Sequence, residues 1–351
     1  MRELTQTVCC NDVRFVAGRG AVEVLGSIKG KVAVFHSKRV DVTPVKKVVP
    51  EAYYYPLDDG EALKDINNVL RLAKELFDNG FDRGDTVVAV GGGSVTDTVG
   101  FLASIYMRGL NLVNIPTTLL GMVDAAIGGK TGVNFAGVKN VIGTFYQPSL
   151  IIAELSFLDS LPKEELRRGM AEVIKYSIVL DSSLYSFLLD NVNDVLNKDD
   201  EALEEVIIRS AYNKLDVVAQ DERETKGIRI VLNFGHTVGH AIESATDFSV
   251  HHGLAISVGM VCESKFAEEL GYAEEGLVED VVNLLQAYGL PINVDDLDPR
   301  PDPVKAVKAI EKDKKKRSDV LLIPMPRRIG AWTKVEVPVE TFKGLTEQCL
   351  R

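Results

Sequence analysis

The sequence predicts an α/β protein in two parts: a parallel-sheet domain over residues 1–155 and an all-α domain over residues 156–351. Three observations carry this. Short β-branched runs alternate with helix-period segments in the first part, the second part is helix-period and poor in strand formers, and the two textures meet at a stretch rich in Gly, Thr and Asn.

In chain order, residues 31–35 (KVAVF) and 86–90 (TVVAV) are continuous apolar runs that read as buried strands. Between them, residues 60–77 (GEALKDINNVLRLAKELF) are apolar at helical spacing, and residues 111–115 (NLVNI) read as a third strand. Strand, helix and strand in that order imply a parallel sheet with ligands at the carboxyl ends of its strands. Residues 116–148 are too long for an ordinary connection and read as a functional loop. From Pro162 onward PKEELRRGMAEVIKYSIVL, ALEEVIIRSAYNKLDVVAQ and the segments after His236 and His252 read as helices.

Composition narrows the function. A chain of 351 residues, 46% hydrophobic and 26% charged, has ample material for one large or two modest cores. With 40 Lys and Arg against 51 Asp and Glu, the net charge of −11 argues against a nucleic-acid binder, so the basic residues for any anionic substrate must be gathered locally. No apolar run reaches the roughly 18 residues of a membrane span, and no signal peptide is expected. Cys9, Cys10, Cys262 and Cys349 show no CxxC spacing and read as reduced thiols of a cytoplasmic protein.

Three groups of residues carry chemistry. Gly91, Gly92 and Gly93 follow TVVAV and precede Ser94-Val95-Thr96-Asp97, which has the form of a capping box at a helix start. A glycine turn at a helix N-terminus suits a pyrophosphate; a tight turn with no ligand is the plainer alternative. Thr96 stands where a third glycine would complete the dinucleotide fingerprint, and no acid closes the next strand at Asn114-Ile115. Second, His236 and His240 are four apart in NFGHTVGHA, with His251 and His252 close behind, so a helix would aim the first two at one metal ion. Glu172, in the otherwise apolar GMAEVIKY segment, is a candidate carboxylate ligand, although Glu172 and Lys175 at i, i+3 also suit a surface pair. Third, Asp124, Lys130, Lys139 and Asn140 on the Gly-rich stretch, with Lys214, Arg229 and Asn233, form an anion-binding pattern. A basic patch at Lys312, Lys314, Lys315, Lys316 and Arg317 reads as a solvated helix end.

GGGSVTD, IPTTLLGMVDAAIGGKTGVN, GVKNVIGTFYQP, GMAEVIKYSIVLD, DERE, NFGHTVGHAIE and HHG occur in the order and approximate spacing of the 3-dehydroquinate synthase family, which this sequence resembles over residues 60–330. The resemblance implies a Rossmann-like NAD-binding first domain and a helical second domain that holds a divalent metal, zinc or cobalt, together with substrate. It places the metal on Glu172, His236 and His252, which moves His240 from ligand to a nearby residue that binds substrate or supports the ligands. Substrate-binding positions fall on Asp124, Lys130, Asn140, Lys175, Lys214, Arg229 and Asn233, with Lys314 or Lys315 closing the site. The cofactor side falls on Glu61, Lys64, Gly91, Gly92, Gly93, Ser94, Asp97, Thr117, Thr118, Asp124, Lys130 and Lys139. Arg108, in YMRG, matches an arginine that the family lends to the partner subunit of a homodimer.

The activity implied converts 3-deoxy-D-arabino-heptulosonate 7-phosphate to 3-dehydroquinate and phosphate, in aromatic amino acid biosynthesis. It runs by transient oxidation with NAD, phosphate elimination, re-reduction and aldol closure, without net redox change. A related sugar phosphate cyclase and an NAD-dependent polyol or glycerol phosphate dehydrogenase are the alternatives; Arg229, read as a carboxylate binder, weighs against the first. Three departures stand out. His36-Ser37-Lys38-Arg39 stands where an acid usually holds the adenosine ribose, so tolerance of NADP is expected unless Asp41 reaches back; Leu254 replaces the glutamate of HGEA; and DERETKGIR is one residue longer than usual.

Overall fold

The computed structural model describes residues 1–9, 11–314 and 319–351, the side chains of 311–314 excepted. Strands β1 (Arg2–Val8), β2 (Asn11–Gly18), β3 (Val32–Ser37), β4 (Tyr53–Leu57), β5 (Thr86–Gly91), β6 (Asn111–Pro116), β7 (Lys130–Phe135), β8 (Val138–Phe145) and β9 (Leu150–Glu154) alternate with helices α1 (Thr43–Val48), α2 (Ile66–Asp78), α3 (Gly93–Ile105) and α4 (Ser156–Asp159). Helices α5 (Lys163–Val179), α6 (Ser182–Asp190), α7 (Val192–Leu196), α8 (Asp200–Gln220), α9 (His236–Ala245), α10 (His252–Glu269), α11 (Leu277–Ala287) and α12 (Pro303–Lys314) follow. The hairpin β10 (Val320–Arg328) and β11 (Ala331–Pro338) and then α13 (Val339–Cys349) close the chain.

Two compact units result: Met1–Pro162 with Lys198–Arg223, and Lys163–Asn197 with Glu224–Arg351. Where a single boundary between residues 155 and 156 was expected, α8 returns to the first unit and packs on β1, β2 and the turn at Gly121–Ala125.

The first unit is a seven-stranded sheet in the order β1-β2-β9-β6-β5-β3-β4, parallel except for the β1–β2 hairpin. β5 is buried along its whole length because a central parallel strand is covered on both faces, which explains why TVVAV shows no polar alternation. From β3 the chain leaves towards β4, and from β5 it leaves the other way towards β6, so the carboxyl ends of these two neighbours form the topological switch point. The α2 helix starts at Ile66 rather than near residue 60, because the Asp65 side chain accepts the Asn67 N–H and fixes the helix start there. Its Val69, Leu72 and Leu76 are fully buried, each worth roughly 1.5–3 kcal/mol of apolar burial. The stretch from 116 to 148, expected as a loop, contains the antiparallel ribbon β7–β8.

The second unit is helical, with one addition to the all-α expectation: β10 and β11 pair as a hairpin whose Leu321, Ile323, Met325, Val335 and Val337 join the helix core around Val238, Ile242, Val258 and Phe266. The reading of all the cysteines as reduced thiols is also corrected. Cys262 of α10 and Cys349 of α13 form a disulfide across 87 residues, a pairing hidden by sequence distance and made by the packing of α13 on α10. Among the described residues no helix is long and apolar enough to cross a membrane.

Candidate metal and nucleotide sites

In the second unit three helices bring side chains to one place. Glu172 comes from α5, His236 from the first position of α9 and His252 from the first position of α10. Glu172 Oε1 lies 3.4 Å from His236 Nε2 and 3.2 Å from His252 Nε2, and the carboxylate is fully buried. Donor atoms of a tetrahedral zinc site with bonds of roughly 2.1 Å sit about 3.4 Å apart, so the spacing suits one divalent ion. The supporting contacts also fit. His236 Nδ1 faces the Phe234 carbonyl at 3.0 Å and His252 Nδ1 faces Glu243 Oε1 at 3.3 Å, which leaves each Nε2 for the shared centre.

The electrostatics follow from packing. Burial opposes ionisation of Glu172, yet the Lys175 ammonium, paired with it one helical turn later, and the two imidazoles hold its carboxyl well below the usual range. Burial likewise opposes protonation of His252, and hydrogen bonds to Glu172 and Glu243 push it up to about 10. Lys175 is itself buried, with its ammonium over the Tyr176 ring, so the Glu172–Lys175 spacing is an interior pair rather than a surface one. His240 lies beside the cluster, its ring centroid 5.3 Å from that of His236, and its side chain is exposed. Arg229 is buried in the same unit and meets Glu224 at 3.5 Å. Asn233 is exposed; the Lys314 side chain and Lys315 lie outside the described residues.

The first unit gathers the other candidates. Gly91 ends β5 and Gly92 precedes α3; a Cβ on Gly91 would sit 2.7 Å from Val95 Cγ2, so the turn closes tightly only with glycine there. The capping-box reading is corrected: the N-cap is Gly92, no side chain caps the helix, and Ser94 and Asp97 serve other partners. Ser94 Oγ accepts the Gly60 N–H at 3.1 Å, and Asp97 pairs with Lys64 at 2.6 Å, which ties the segment from Gly60 to Lys64 to the first turns of α3. Burial pushes the Asp97 carboxyl up against the pull of Lys64. Thr117 N–H binds the Gly91 carbonyl at 3.1 Å, and Thr118 Oγ1 accepts the Gly121 N–H at 3.1 Å.

Glu61 accepts from Asn134 at 2.6 Å, and Asn134 accepts the Asn140 N–H at 2.9 Å, joining the cofactor-side segment to the β7–β8 ribbon. Lys214 Nζ donates to both the carbonyl and the carboxylate of Asp124 at 2.7 Å. Lys130, Lys139 and Arg108 are exposed, and Arg108 holds a left-handed φ of 67° just past the end of α3.

Sequence reasoning passed over Glu243 and Glu224, although an acid three residues beyond His240 and one five before Arg229 are signals that helical spacing and charge pairing could have raised. It also passed over Glu263, an acid in the apolar run VGMVCESKF, the signal that singled out Glu172.

Known proteins resemble the chain in sequence and in fold. Residues 54–168 match the family model 3-dehydroquinate synthase N-terminal, and residues 169–316 match 3-dehydroquinate synthase C-terminal. The chain is 58% identical to 3-dehydroquinate synthase of Saccharolobus solfataricus over the full length of both, and 61% identical to that of Sulfolobus acidocaldarius over 97% of each. Among solved structures, 2-deoxy-scyllo-inosose synthase complexed with carbaglucose-6-phosphate, NAD+ and Co2+ superposes with a TM-score of 0.89 at 24% identity, covering 99% of this chain and 100% of the other. The 2-epi-5-epi-valiolone synthase of Streptomyces hygroscopicus, with NAD+ and Zn2+ bound, superposes at 0.84 with 26% identity over 100% of this chain and 99% of its own. Near-full-length identity to curated relatives, on a parallel-sheet unit followed by a helical one, leaves one assignment: the chain belongs to the 3-dehydroquinate synthase family.

Proposed function

We propose that the protein converts 3-deoxy-D-arabino-heptulosonate 7-phosphate to 3-dehydroquinate and phosphate, with NAD and a divalent metal as resident cofactors. The observation that supports this most is the buried Glu172 carboxylate meeting His236 and His252 with Lys175 beside it, in a chain 58% identical over its full length to a curated 3-dehydroquinate synthase. Bound at Glu172, His236 and His252, the metal would supply Lewis acidity to paired substrate oxygens, while NAD would supply a reversible hydride acceptor.

The side chains have separable tasks in this reading. Glu61, Lys64, Gly91, Gly92, Gly93, Ser94, Asp97, Thr117, Thr118, Asp124, Lys130 and Lys139 serve the nucleotide. Lys130, Asn140, Asn233 and Lys314 or Lys315 hold the phosphate, Arg229 with Lys214 the carboxylate and ring oxygens, and Asp124 a ring hydroxyl. Lys214 would then exchange part of its hold on Asp124 for substrate oxygen. Lys175, a buried cation beside the metal-binding carboxylate, steadies the charge of that centre, and His240 lies at its exposed rim. Elimination needs no protein base, because the departing phosphate can take the proton itself. A phosphorylated substrate and NAD are both kept inside cells, which suits a cytoplasmic location.

The test is phosphate release from the heptulosonate phosphate by purified protein, with NAD and Zn2+ or Co2+ added or withheld. Release that needs both, without accumulation of NADH, is expected. NADH formed in step with turnover would instead favour the dehydrogenase alternative, and no release would overturn the reading.

We also propose a homodimer in which Arg108 completes the partner's site. Arg108 lies past α3, whose 13 residues span about 20 Å by helical rise, and so stands far from the glycine turn of its own chain. Its guanidinium suits the neighbour's phosphate across a twofold interface. Mixing inactive Arg108→Ala and Glu172→Ala chains should restore activity by subunit exchange, since one site in the heterodimer then carries neither defect. No recovery, or an active Arg108→Ala chain, would refute the shared site.

A further inference from the structure

We propose that Glu263 is a positioning residue of the metal site, acting through the start of α9; this rests on the reading of Glu172, His236 and His252 as metal ligands. The first turn of a helix leaves backbone N–H groups without intrahelical partners. At α9 the N-cap is Gly235, at φ 77°, which has no side chain to meet them. Glu263 does so from the neighbouring helix. Its Oε2 accepts the Gly235 N–H at 2.7 Å, its Oε1 accepts the Val238 N–H at 3.1 Å, and its side chain is fully buried.

The consequence lies in which residues these are. Gly235 immediately precedes His236, and Glu263 belongs to α10, the helix that begins with His252. One carboxyl therefore locks the backbone that carries one histidine ligand to the helix that carries the other. The two helices are also in backbone contact: a Cβ on Gly259 would stand 2.0 Å from the Gly235 carbonyl oxygen, and one on Gly239 would stand 3.2 Å from Ile256 Cα. Close approach fixes the spacing of the helices, and the paired hydrogen bonds fix the rotation and rise of α9 at His236.

Glu154 offers a matched control. It is a buried carboxyl that accepts the Gly20, Val22 and Ser156 N–H groups in the sheet unit, with no part in the metal cluster. Glu263→Gln and Glu154→Gln should be compared for Zn2+ affinity by chelator competition, for the visible spectrum of the Co2+-loaded protein, and for thermal unfolding without metal. Glu263→Gln should weaken Zn2+ binding by roughly 10- to 100-fold and alter the Co2+ spectrum. Glu154→Gln should leave both as in wild type at a comparable loss of thermal stability. Wild-type affinity and spectrum in folded Glu263→Gln would overturn the proposal. Should that variant not fold, Glu263→Asp carries the test: a side chain one methylene shorter cannot span both amides, so weaker Zn2+ binding supports the role and unchanged binding refutes it. Wild-type protein that binds no Zn2+, or His252→Ala that binds it normally, would overturn the ligand assignment and this proposal with it. With His252→Ala metal-free, an unchanged Glu263→Gln removes the positioning role alone.

Discussion

The glycine turn of the sheet unit and the histidine cluster of the helical unit both gather acids and cations, by opposite means. At the turn the groups are close in sequence and the backbone provides the shape: Gly91 ends a strand, Gly92 precedes a helix, and Lys64 meets Asp97 across one crossover. At the cluster the backbone only places side chains, and Glu172 meets His252 across 80 residues. The charges differ in the same way. Burial wins at Asp97 and raises its carboxyl, whereas at Glu172 the same burial is overruled by Lys175 and two imidazoles. A site made of backbone tolerates loss of a side chain; a site made of three side chains does not.

The largest expected effect tests that asymmetry. Removal of one ligand from a three-donor centre should cost more than a third of a binding energy on the order of 12 kcal/mol, hence more than about a thousandfold in metal affinity. Glu172→Ala, His236→Ala and His252→Ala should each lose bound metal and activity together, measured by metal analysis after dialysis and by phosphate release. In contrast, Ser94→Ala at the turn should weaken NAD by less than about tenfold, because N–H groups rather than the hydroxyl would face the pyrophosphate. Full metal occupancy in His252→Ala, or abolished NAD binding in Ser94→Ala, would break the comparison.

A smaller effect concerns stability, since among the described residues the helical unit alone is stapled. The Cys262–Cys349 bond closes a loop of 87 residues, and loss of such a bond costs about 2–4 kcal/mol in the usual range. Cys349→Ser should lower the unfolding free energy of the metal-free protein by that order, and its unfolding midpoint with it. The wild type should fall to the same midpoint in reductant, while the variant should not respond to it. A wild type indifferent to reductant would remove the staple from the account.

What was legible in the sequence follows the same division. TVVAV followed by three glycines marked a strand, a turn and a helix because every element of that signal lies within a dozen residues. The concentration of histidines pointed to a metal, yet helical spacing favoured the pair His236 and His240, and only the family pattern put His252 in place of His240 as a ligand. The distance between Glu172 and His252 explains why: no local periodicity records which helices pack together. Glu263 and the disulfide were missed on the same ground, since both depend on packing against α10. The hairpin β10–β11 escaped because its run RSDVLLIPMPRR carries two prolines that weaken a strand reading.

The smallest effect concerns the nucleotide end, where the structure revises an expectation of NADP tolerance. That expectation rested on His36-Ser37-Lys38-Arg39 standing in place of an acid, with Asp41 as the residue that could reach back. Instead Asp41 accepts from the Thr43 N–H at 2.9 Å at the start of α1, while Lys38 pairs with Asp58 at 2.7 Å and Arg39 with Asp59 at 3.2 Å. Asp59 also accepts from Ser37 Oγ at 2.8 Å, so an acid does stand at the end of β3, supplied by the segment after the neighbouring strand β4 rather than by β3 itself. A carboxylate there repels a 2′-phosphate and can accept from a ribose hydroxyl, so NAD should be preferred. Asp59→Asn removes the charge but keeps the shape, and should narrow the ratio of NADP to NAD dissociation constants by roughly tenfold, or about 1.4 kcal/mol. Asp58→Asn should change it far less, because the Lys38–Asp58 pair is largely exposed and such pairs contribute little. Titration of both nucleotides against the three proteins decides the matter. An unchanged ratio in Asp59→Asn would mean that this acid faces its own chain alone, and the cofactor choice would have to be sought at the other residues of the switch point.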